Sequence, residues 1–152
     1  MSTPWLPPDF VHPERVDLAG GQHVRPLRAR DVDIDYPAVM GSRARLWAKY
    51  AEAWGWPPET MTLEADLEDL EHHERENLAH TSFAYAVLDE EESQMFGCIY
   101  LDPPTDAAAG DVVVSWWLVD ACVGTPLEKE MSDFVPRWVT ETWPFRRPLF
   151  SP

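Results

Sequence analysis

The chain has 152 residues and a formal net charge of −15, because 27 Asp and Glu oppose 12 Lys and Arg. This length fits one domain with a single core. The acidic balance argues against nucleic acid or a membrane surface as partner and favours an amine-bearing one. No apolar run approaches the roughly 20 residues that cross a bilayer. The first ten residues resemble no secretory signal, so we expect a cytoplasmic protein.

The N-terminal residues 1–21 contain four prolines and a closing pair of glycines. Because both residue types interrupt regular structure, we expect an extended N-terminal arm, anchored by Trp5 and Phe10. A single domain over 22–152 follows it.

The segment HVRPLRARDVD predicts a first strand, with Val24 and Leu27 facing inward. Pro26 cannot donate to a neighbouring strand, which predicts a position at or near the sheet edge. Apolar residues over 36–54 recur at helical steps and predict one helix, ended by Gly55.

A second helix is predicted over 63–80, where acidic residues dominate one face. Its apolar stripe consists of Leu63, Leu67, Leu70 and Leu78. His73, then Glu76 or Asn77, then His80 follow at steps of three or four and can share a face. Since Asn77 stands where an HExxH motif needs its second His, we predict no metal. A solvated polar face and a part in an acceptor pocket remain alternatives.

Two segments, FAYAVLD (83–89) and MFGCIYL (95–101), flank a polar turn and predict an antiparallel hairpin. The almost wholly apolar DVVVSWWLV (111–119) predicts a central strand covered on both faces, with Trp116 and Trp117 on opposite sides. One of these two indoles is a candidate for the lining of a substrate pocket.

A last helix is predicted from the stripe Leu127, Met131, Phe134, Val135, Trp138 and Val139. Pro136 inside it removes one backbone hydrogen bond. The segment FRRPLF is the last strand. The predicted fold is α+β (mixed α/β), with a mostly antiparallel sheet, helices on both faces and an end after the fifth strand.

Three groups of segments, taken in order, resemble the GNAT superfamily of acyl-CoA-dependent N-acyltransferases. They are HVRPLRARDVDIDY, the hairpin FAYAVLD with MFGCIYL, and VVVSWWLVDACVGTPLEKEM. The resemblance covers residues 22–150. It implies that the fourth and fifth strands part and that the pantetheine arm of acetyl-CoA pairs with the fourth strand in the gap. It also implies that the pyrophosphate lies at the start of the next helix, where backbone N–H groups lack partners.

The family pattern at that helix is Gln or Arg, two residues, Gly, one residue, then Gly or Ala. Laid on Gly124, the pattern meets Ala121 and Pro126 at its other two positions, so the loop is degenerate. Thr125 and Glu128 fit a capping box, in which each side chain bonds the backbone N–H of the other. The predicted cofactor-binding residues are Trp117, Leu118, Val119, Val123, Gly124, Thr125 and Leu127.

Acyl transfer to an amine needs a base for the amine and an acid for the departing thiolate. The resemblance implies a Glu or a water chain as base and a Tyr on a later helix as acid, but no Tyr follows Tyr100. The candidate catalytic residues are His73, Tyr85, Tyr100 and Cys122. Spacing does not choose among them or against water.

The leading functional prediction is an N-acyltransferase that moves an acetyl group from acetyl-CoA to an amine of a small molecule or peptide. A homodimer is one expected assembly. One alternative is a non-catalytic GNAT-like domain for ligand binding or interaction. A third class, a metal-dependent hydrolase, would use the helix that carries His72 and His80.

Overall fold

The computed structural model describes residues 4–151, so residues 1–3 of the predicted arm and Pro152 lie outside the described residues. The strands are β1 (Val16–Asp17), β2 (His23–Pro26), β3 (Phe83–Leu88), β4 (Met95–Asp102), β5 (Val112–Leu118) and β6 (Pro148–Ser151). The α-helices are α1 (Val32–Gly41), α2 (Arg43–Trp54), α3 (Leu63–Ala79) and α4 (Pro126–Thr142).

The six strands form one sheet in the order β1-β2-β3-β4-β5-β6. Each neighbouring pair is antiparallel except β5 and β6, which run parallel. The predicted mixed fold with a mostly antiparallel sheet is confirmed, and so is the hairpin of β3 and β4. The predicted fifth strand is β6, because Val16–Asp17 add a short strand before β2. Pro26 ends β2, which lies next to this edge strand.

Helices cover both faces of the sheet. One apolar cluster joins α4 to the sheet, and a second joins α1, α2 and α3 to the opposite face. Trp116 belongs to the first cluster and Trp117 to the second, as the alternation along β5 predicts. All six residues of the predicted α4 stripe are buried, and the helix continues through Pro136.

The N-terminal residues pack on the α4 face. The indole of Trp5 donates to the Asp111 carbonyl over 2.8 Å, and its ring centroid lies 5.3 Å from that of Phe145. Phe10 contacts Trp143, with 5.2 Å between the ring centroids. The arm and domain boundary at residue 21 stays a prediction.

The predicted single helix over 36–54 is wrong, because two helices, α1 and α2, meet at Ser42. Ser42 has φ −119° and ψ 20°, outside the helical region. Its hydroxyl accepts a hydrogen bond from the Asp120 N–H over 2.8 Å. This bond fixes the start of α2 beside the end of β5. Gly55 ends α2 with φ 60°, as predicted.

The predicted leucine stripe on α3 is also wrong. Leu63 is 40% exposed and Leu78 76% exposed, whereas Asp66 is 2% exposed. The buried face of α3 carries Asp66, Leu70 and Asn77, at steps of four and seven. Asn77 is held by the backbone of Ala84, to which it donates and from which it accepts. The inner face of α3 is therefore polar over much of its length.

Candidate functional site

The candidate site lies at the C-terminal end of β5. Pairing with β6 reaches Ser115, and Trp116–Leu118 lie beyond it. Along a strand the carbonyl groups alternate between its two sides. The amide of Val119 donates to Phe96 on the β4 side, so the carbonyls of Trp116 and Leu118 face away from β4.

Side chains of α2 occupy these two carbonyls. Lys49 Nζ donates to the Trp116 carbonyl over 2.6 Å. Arg45 Nη1 donates to the Leu118 carbonyl over 3.0 Å and to Asp120 Oδ1 over 2.7 Å. The part of β5 that the resemblance assigns to pantetheine is thus bonded by two cationic side chains.

The start of α4 differs from the predicted capping box. The Thr125 hydroxyl donates to the Cys122 carbonyl over 2.5 Å, so it accepts nothing from Glu128. Glu128 Oε1 accepts from the Gly124 N–H over 3.1 Å instead of from the predicted Thr125 N–H. The capping box is wrong because Gly124, with φ 77°, turns its own N–H toward Glu128.

Three of the four amides that the sequence offers to phosphate are already bonded within the chain. Val123 donates to the Asp120 carbonyl, Thr125 to the Cys122 carbonyl, and Gly124 to Glu128. Within residues 4–151, the Leu127 amide has no such acceptor. The loop alone is a poor site for an anion.

A groove of about 560 Å³ opens between α2, the end of β5 and the start of α4. We call it the basic groove, because both lysines of the chain, Lys49 and Lys129, line it together with Arg45. Burial, with help from the nearby charge of Arg45, lowers the pKa of Lys49 to about 8. The full lining is Arg45, Leu46, Lys49, Trp116, Trp117, Leu118, Gly124, Thr125, Glu128, Lys129 and Ser132.

The predicted cofactor-binding residues divide around this groove. Trp117, Leu118, Gly124 and Thr125 line it, whereas the lining does not include Val119, Val123 and Leu127. Binding of acetyl-CoA by these seven residues stays a prediction.

A second cavity, of about 480 Å³, lies on the face of the sheet that α1 and α3 cover. We call it the acid cavity, since it holds five carboxyl groups and, among the described residues, no Lys or Arg lines it. Its lining is Leu27, Asp35, Trp54, Trp56, Asp66, Asp69, Leu70, His72, His73, Glu76, Ser82, Tyr100 and Asp102.

The deepest carboxyl groups of the acid cavity are Asp35 and Asp66, 4% and 2% exposed. Burial, reinforced by the hydrogen bond to Asp66, raises the pKa of Asp35 well above its ordinary value. Burial also raises the pKa of Asp66. Burial therefore opposes the ionisation of both carboxyl groups. Within the described residues, Asp66 Oδ2 has no hydrogen-bond partner.

Two of the four catalytic candidates line the acid cavity, and two do not. His73 and Tyr100 lie there with ring centroids 5.9 Å apart. Burial, then the charge of nearby His72, lowers the pKa of His73 to about 4, so its imidazole is neutral at pH 7. The Tyr85 hydroxyl donates to the Pro13 carbonyl on the α4 side, and Cys122 is buried in the α4 cluster.

The basic groove and the acid cavity meet at one contact. Trp117 lines the groove, Tyr100 lines the cavity, and Trp117 Nε1 donates to the Tyr100 hydroxyl over 2.9 Å. The Trp117 ring also lies 6.3 Å from that of Trp56, which lines the cavity. A thin layer of aromatic side chains therefore separates a cationic site from an acidic one.

Sequence reasoning missed the carboxyl groups of the acid cavity and the cations of the groove. One signal was present: Asp66, Leu70, His73 and Asn77 recur at steps of four, three and four, which is one helical face. The leucines of α3 obscured it. Arg45 and Lys49, one turn apart on α2, carried no motif. Among residues 4–151, no three His, Cys, Asp or Glu side chains are placed to hold a metal ion, and no helix is long and apolar enough to span a membrane.

The chain is similar to known proteins in its three-dimensional structure. No protein-family model matches the chain, and no curated protein sequence matches it. One similar structure is an acetyl transferase from Salmonella typhimurium that modifies the N-terminal serine of ribosomal protein L7/L12. It has a TM-score of 0.70 and 11% identity, over 90% of this chain and 74% of that one.

Two further similar structures are also acetyltransferases. The ribosomal-protein-S5-alanine acetyltransferase from Vibrio fischeri has a TM-score of 0.59 and 17% identity, over 78% of this chain and 63% of that one. This chain thus spans less than two thirds of the Vibrio protein. The microcin C7 self-immunity acetyltransferase MccE, in complex with acetyl-CoA and AMP, has a TM-score of 0.68 and 10% identity, over 86% and 68% of the two chains. All three are acetyltransferases, and the chain has the GNAT fold.

Proposed function

We propose that the protein is an N-acyltransferase that moves an acetyl group from acetyl-CoA to an amine. The observation that carries the proposal is the position of two oppositely charged sites on either side of the contact between Trp117 and Tyr100. Coenzyme A is anionic through its phosphates, and an amine is cationic at neutral pH. Each substrate thus has a site of complementary charge beside the other.

The residues of the basic groove fit a phosphate-bearing molecule. The loop before α4 offers little to pyrophosphate, because Pro126 has no N–H and the Gly124 N–H is bonded within the chain. Arg45, Lys49 and Lys129 supply positive charge in the same place. When bound, acetyl-CoA supplies an acyl group activated as a thioester.

Binding in this groove requires a rearrangement of two side chains. Lys49 and Arg45 hold the Trp116 and Leu118 carbonyls, which the resemblance assigns to pantetheine. Arg45 has 45% of its side chain exposed, and both cations are long and flexible. In the proposed complex they leave the carbonyls and turn to phosphate oxygens.

The acid cavity is the proposed acceptor site. The Salmonella and Vibrio proteins are described as acting on an N-terminal serine and an alanine of ribosomal proteins. For this chain the acceptor is an amine of a small molecule or peptide, drawn in by carboxyl groups and by the faces of Trp54 and Tyr100.

In the proposed acyl transfer, the side chains of the acid cavity and water move the protons. The bound ammonium loses one proton, which the Asp35 and Asp66 pair or the neutral imidazole of His73 accepts. The nitrogen–carbon bond then forms as the carbon–sulfur bond breaks, and the second proton that the nitrogen loses passes through water to the departing sulfur. We assign this relay to water because burial raises the pKa of Tyr100 well above its ordinary value, which makes its hydroxyl a weaker acid.

Calorimetric titration with acetyl-CoA and with desulfo-CoA tests the proposal. We expect saturable heat with both, and at least tenfold weaker binding after Arg45, Lys49 and Lys129 are all changed to Gln. Arg137→Gln, at an exposed position on α4 outside the groove, is the matched control and leaves the affinity unchanged. Absence of heat with both ligands in folded protein contradicts the proposal.

A second candidate is a non-catalytic domain that binds an amine. The contacts of Lys49 and Arg45 with β5, and of Glu128 with Gly124, favour it, because they fill the cofactor positions from within the chain. This candidate predicts amine binding without acetyl-CoA binding and without release of free thiol.

Cytoplasmic location and a homodimer stay predictions from the sequence. Trp47 and Trp54 on α2 are 39% and 47% exposed, which gives a second copy an apolar surface to cover. Light scattering across a concentration series measures the assembly state.

A further inference from the structure

The acid cavity has carboxyl groups at two separate ends. Asp35, Asp66 and Asp69 form the first end, and Glu76 and Asp102 form the second. Asp66 and Glu76 lie ten residues apart on α3, which is about 15 Å along a helix axis. The second end has polar contacts within the chain: the Ser82 hydroxyl donates to Asp102, and Glu76 Oε1 lies 3.4 Å from His72 Nε2.

Between the two ends the lining is apolar and aromatic. Leu70 and His73 face the cavity from α3, and Tyr100 faces it from β4. Trp54 stands edge-on to Tyr100, with ring centroids 5.2 Å apart. The neutral imidazole of His73 adds no charge here. This middle section suits methylene groups, and the faces of its aromatic rings can contact an ammonium group.

The charges of the cavity are not balanced within the chain. Among the described residues no Lys or Arg lines it, and Asp66 Oδ2 lies buried without a hydrogen-bond partner. A buried carboxylate without a partner is costly, so burial favours the protonated form of these groups. An ammonium group at each end would satisfy the same carboxylates without protonation.

We propose that the acid cavity binds an elongated molecule with an ammonium group at each end, a diamine or polyamine, with its chain along Leu70 and Tyr100. This deepens the proposed function and rests on it only for the role of acceptor. A peptide N terminus fits less well. It brings one cation, which leaves the second end without a cation, and its amide groups would meet apolar side chains in the middle section.

The first test compares 1,8-diaminooctane with octylamine by calorimetry, in the absence of any acyl-CoA. Both ligands have an eight-carbon chain, and they differ in that the diamine carries a second ammonium group in place of a terminal hydrogen. We expect the diamine to bind at least tenfold more tightly, with weaker binding by 1,4-diaminobutane, which is too short to reach both ends. Equal affinity for the diamine and octylamine overturns the proposal.

Single substitutions at the two ends locate the ligand. Glu76→Gln should weaken diamine binding about tenfold and leave octylamine binding within twofold, because octylamine needs only the end at Asp66. Asp66→Asn should weaken both. Glu68→Gln removes the same charge from an exposed position of α3 outside the cavity and should change neither. If Glu68→Gln weakens the diamine as much as Glu76→Gln does, general surface charge explains the binding and the proposal fails.

These titrations also separate this proposal from the proposed function. Diamine binding without acetyl-CoA binding leaves the cavity assignment intact and removes the transferase. Acetyl-CoA binding together with equal affinity for octylamine and 1,8-diaminooctane supports the transferase and overturns the diamine site. If a variant does not fold, as thermal melting would show, the comparison of ligands on the unaltered protein decides.

Discussion

The indole of Trp117 donates to the hydroxyl of Tyr100 over 2.9 Å, and the two residues belong to neighbouring strands of the sheet. Both side chains are almost fully buried, at 4% and 6% exposure. The bond fixes the ring of Tyr100 as a wall of the acid cavity and the ring of Trp117 as a wall of the basic groove. A change at this bond therefore acts on both sites.

Tyr100→Phe tests whether Tyr100 positions groups or supplies a proton. The substitution leaves Trp117 Nε1 buried without an acceptor, so urea unfolding should show a loss of about 1–3 kcal/mol. In the proposed mechanism water protonates the departing sulfur. We therefore expect a lower transfer rate with an unchanged alkaline limb of the pH–rate profile. Loss of the alkaline limb in the variant would identify Tyr100 as the proton donor.

The fold was predictable from the sequence where pattern and burial agree. Hairpin strands β3 and β4 are buried apolar runs on either side of a polar turn, and the six-residue stripe of α4 is buried as the helical spacing requires. The break at Ser42 was not predictable, because it depends on a hydrogen bond from Asp120, 78 residues away.

The acid cavity could not be predicted from the sequence, for a related reason. Local hydrophobicity ranks leucine above aspartate for burial, and α3 reverses this order by burying Asp66 while Leu78 stays in solvent. The cavity arises only when Asp35 of α1 and Tyr100 of β4 are brought beside α3. Rules that rank residues by hydrophobicity do not detect a buried polar face of this kind. Such exceptions are typical of functional sites.

Lys49 gives a pH test of the basic groove. Its pKa is lowered from the ordinary value of a lysine to about 8, so it loses its charge as the pH rises from 7 to 9. Phosphate groups are already ionised at pH 7. We expect the affinity for desulfo-CoA to fall two- to tenfold from pH 7 to pH 9 at constant ionic strength. Lys49→Arg keeps its charge and should remove this slope; the same slope in the variant contradicts a role for Lys49.

Asp66→Asn tests the raised pKa values of Asp35 and Asp66 through stability. Because the pKa values of Asp35 and Asp66 are raised in the folded state, the folded chain binds more protons than the unfolded chain above about pH 4. These groups therefore contribute stability that is complete at low pH and is lost as the pH rises through the folded pKa.

The variant should consequently melt at a higher temperature than the parent at pH 8 and at about the same temperature at pH 4. Thermal melting across this range is the measurement. Glu68→Gln, with an exposed side chain on the same helix, should follow the parent at both pH values. A variant less stable than the parent at pH 8 would mean that Asp66 is ionised and paired in the native state.

Gly97 sets the approach of β4 to the end of β5. A Cβ at this position would lie 2.0 Å from the Trp117 carbonyl oxygen, a backbone atom that cannot move without shifting β5. Gly97→Ala should lower the free energy of unfolding by about 1–3 kcal/mol, the usual range for overpacking, and should weaken desulfo-CoA binding because the groove is built on β5. Gly41→Ala is the matched control: a Cβ there meets no atom within 4 Å, and alanine in a helix gains about 0.5–1 kcal/mol. Urea unfolding and calorimetry measure both effects. If Gly97→Ala loses stability but keeps its affinity for desulfo-CoA, the ligand does not depend on the position of β5, and the groove is not where coenzyme A binds.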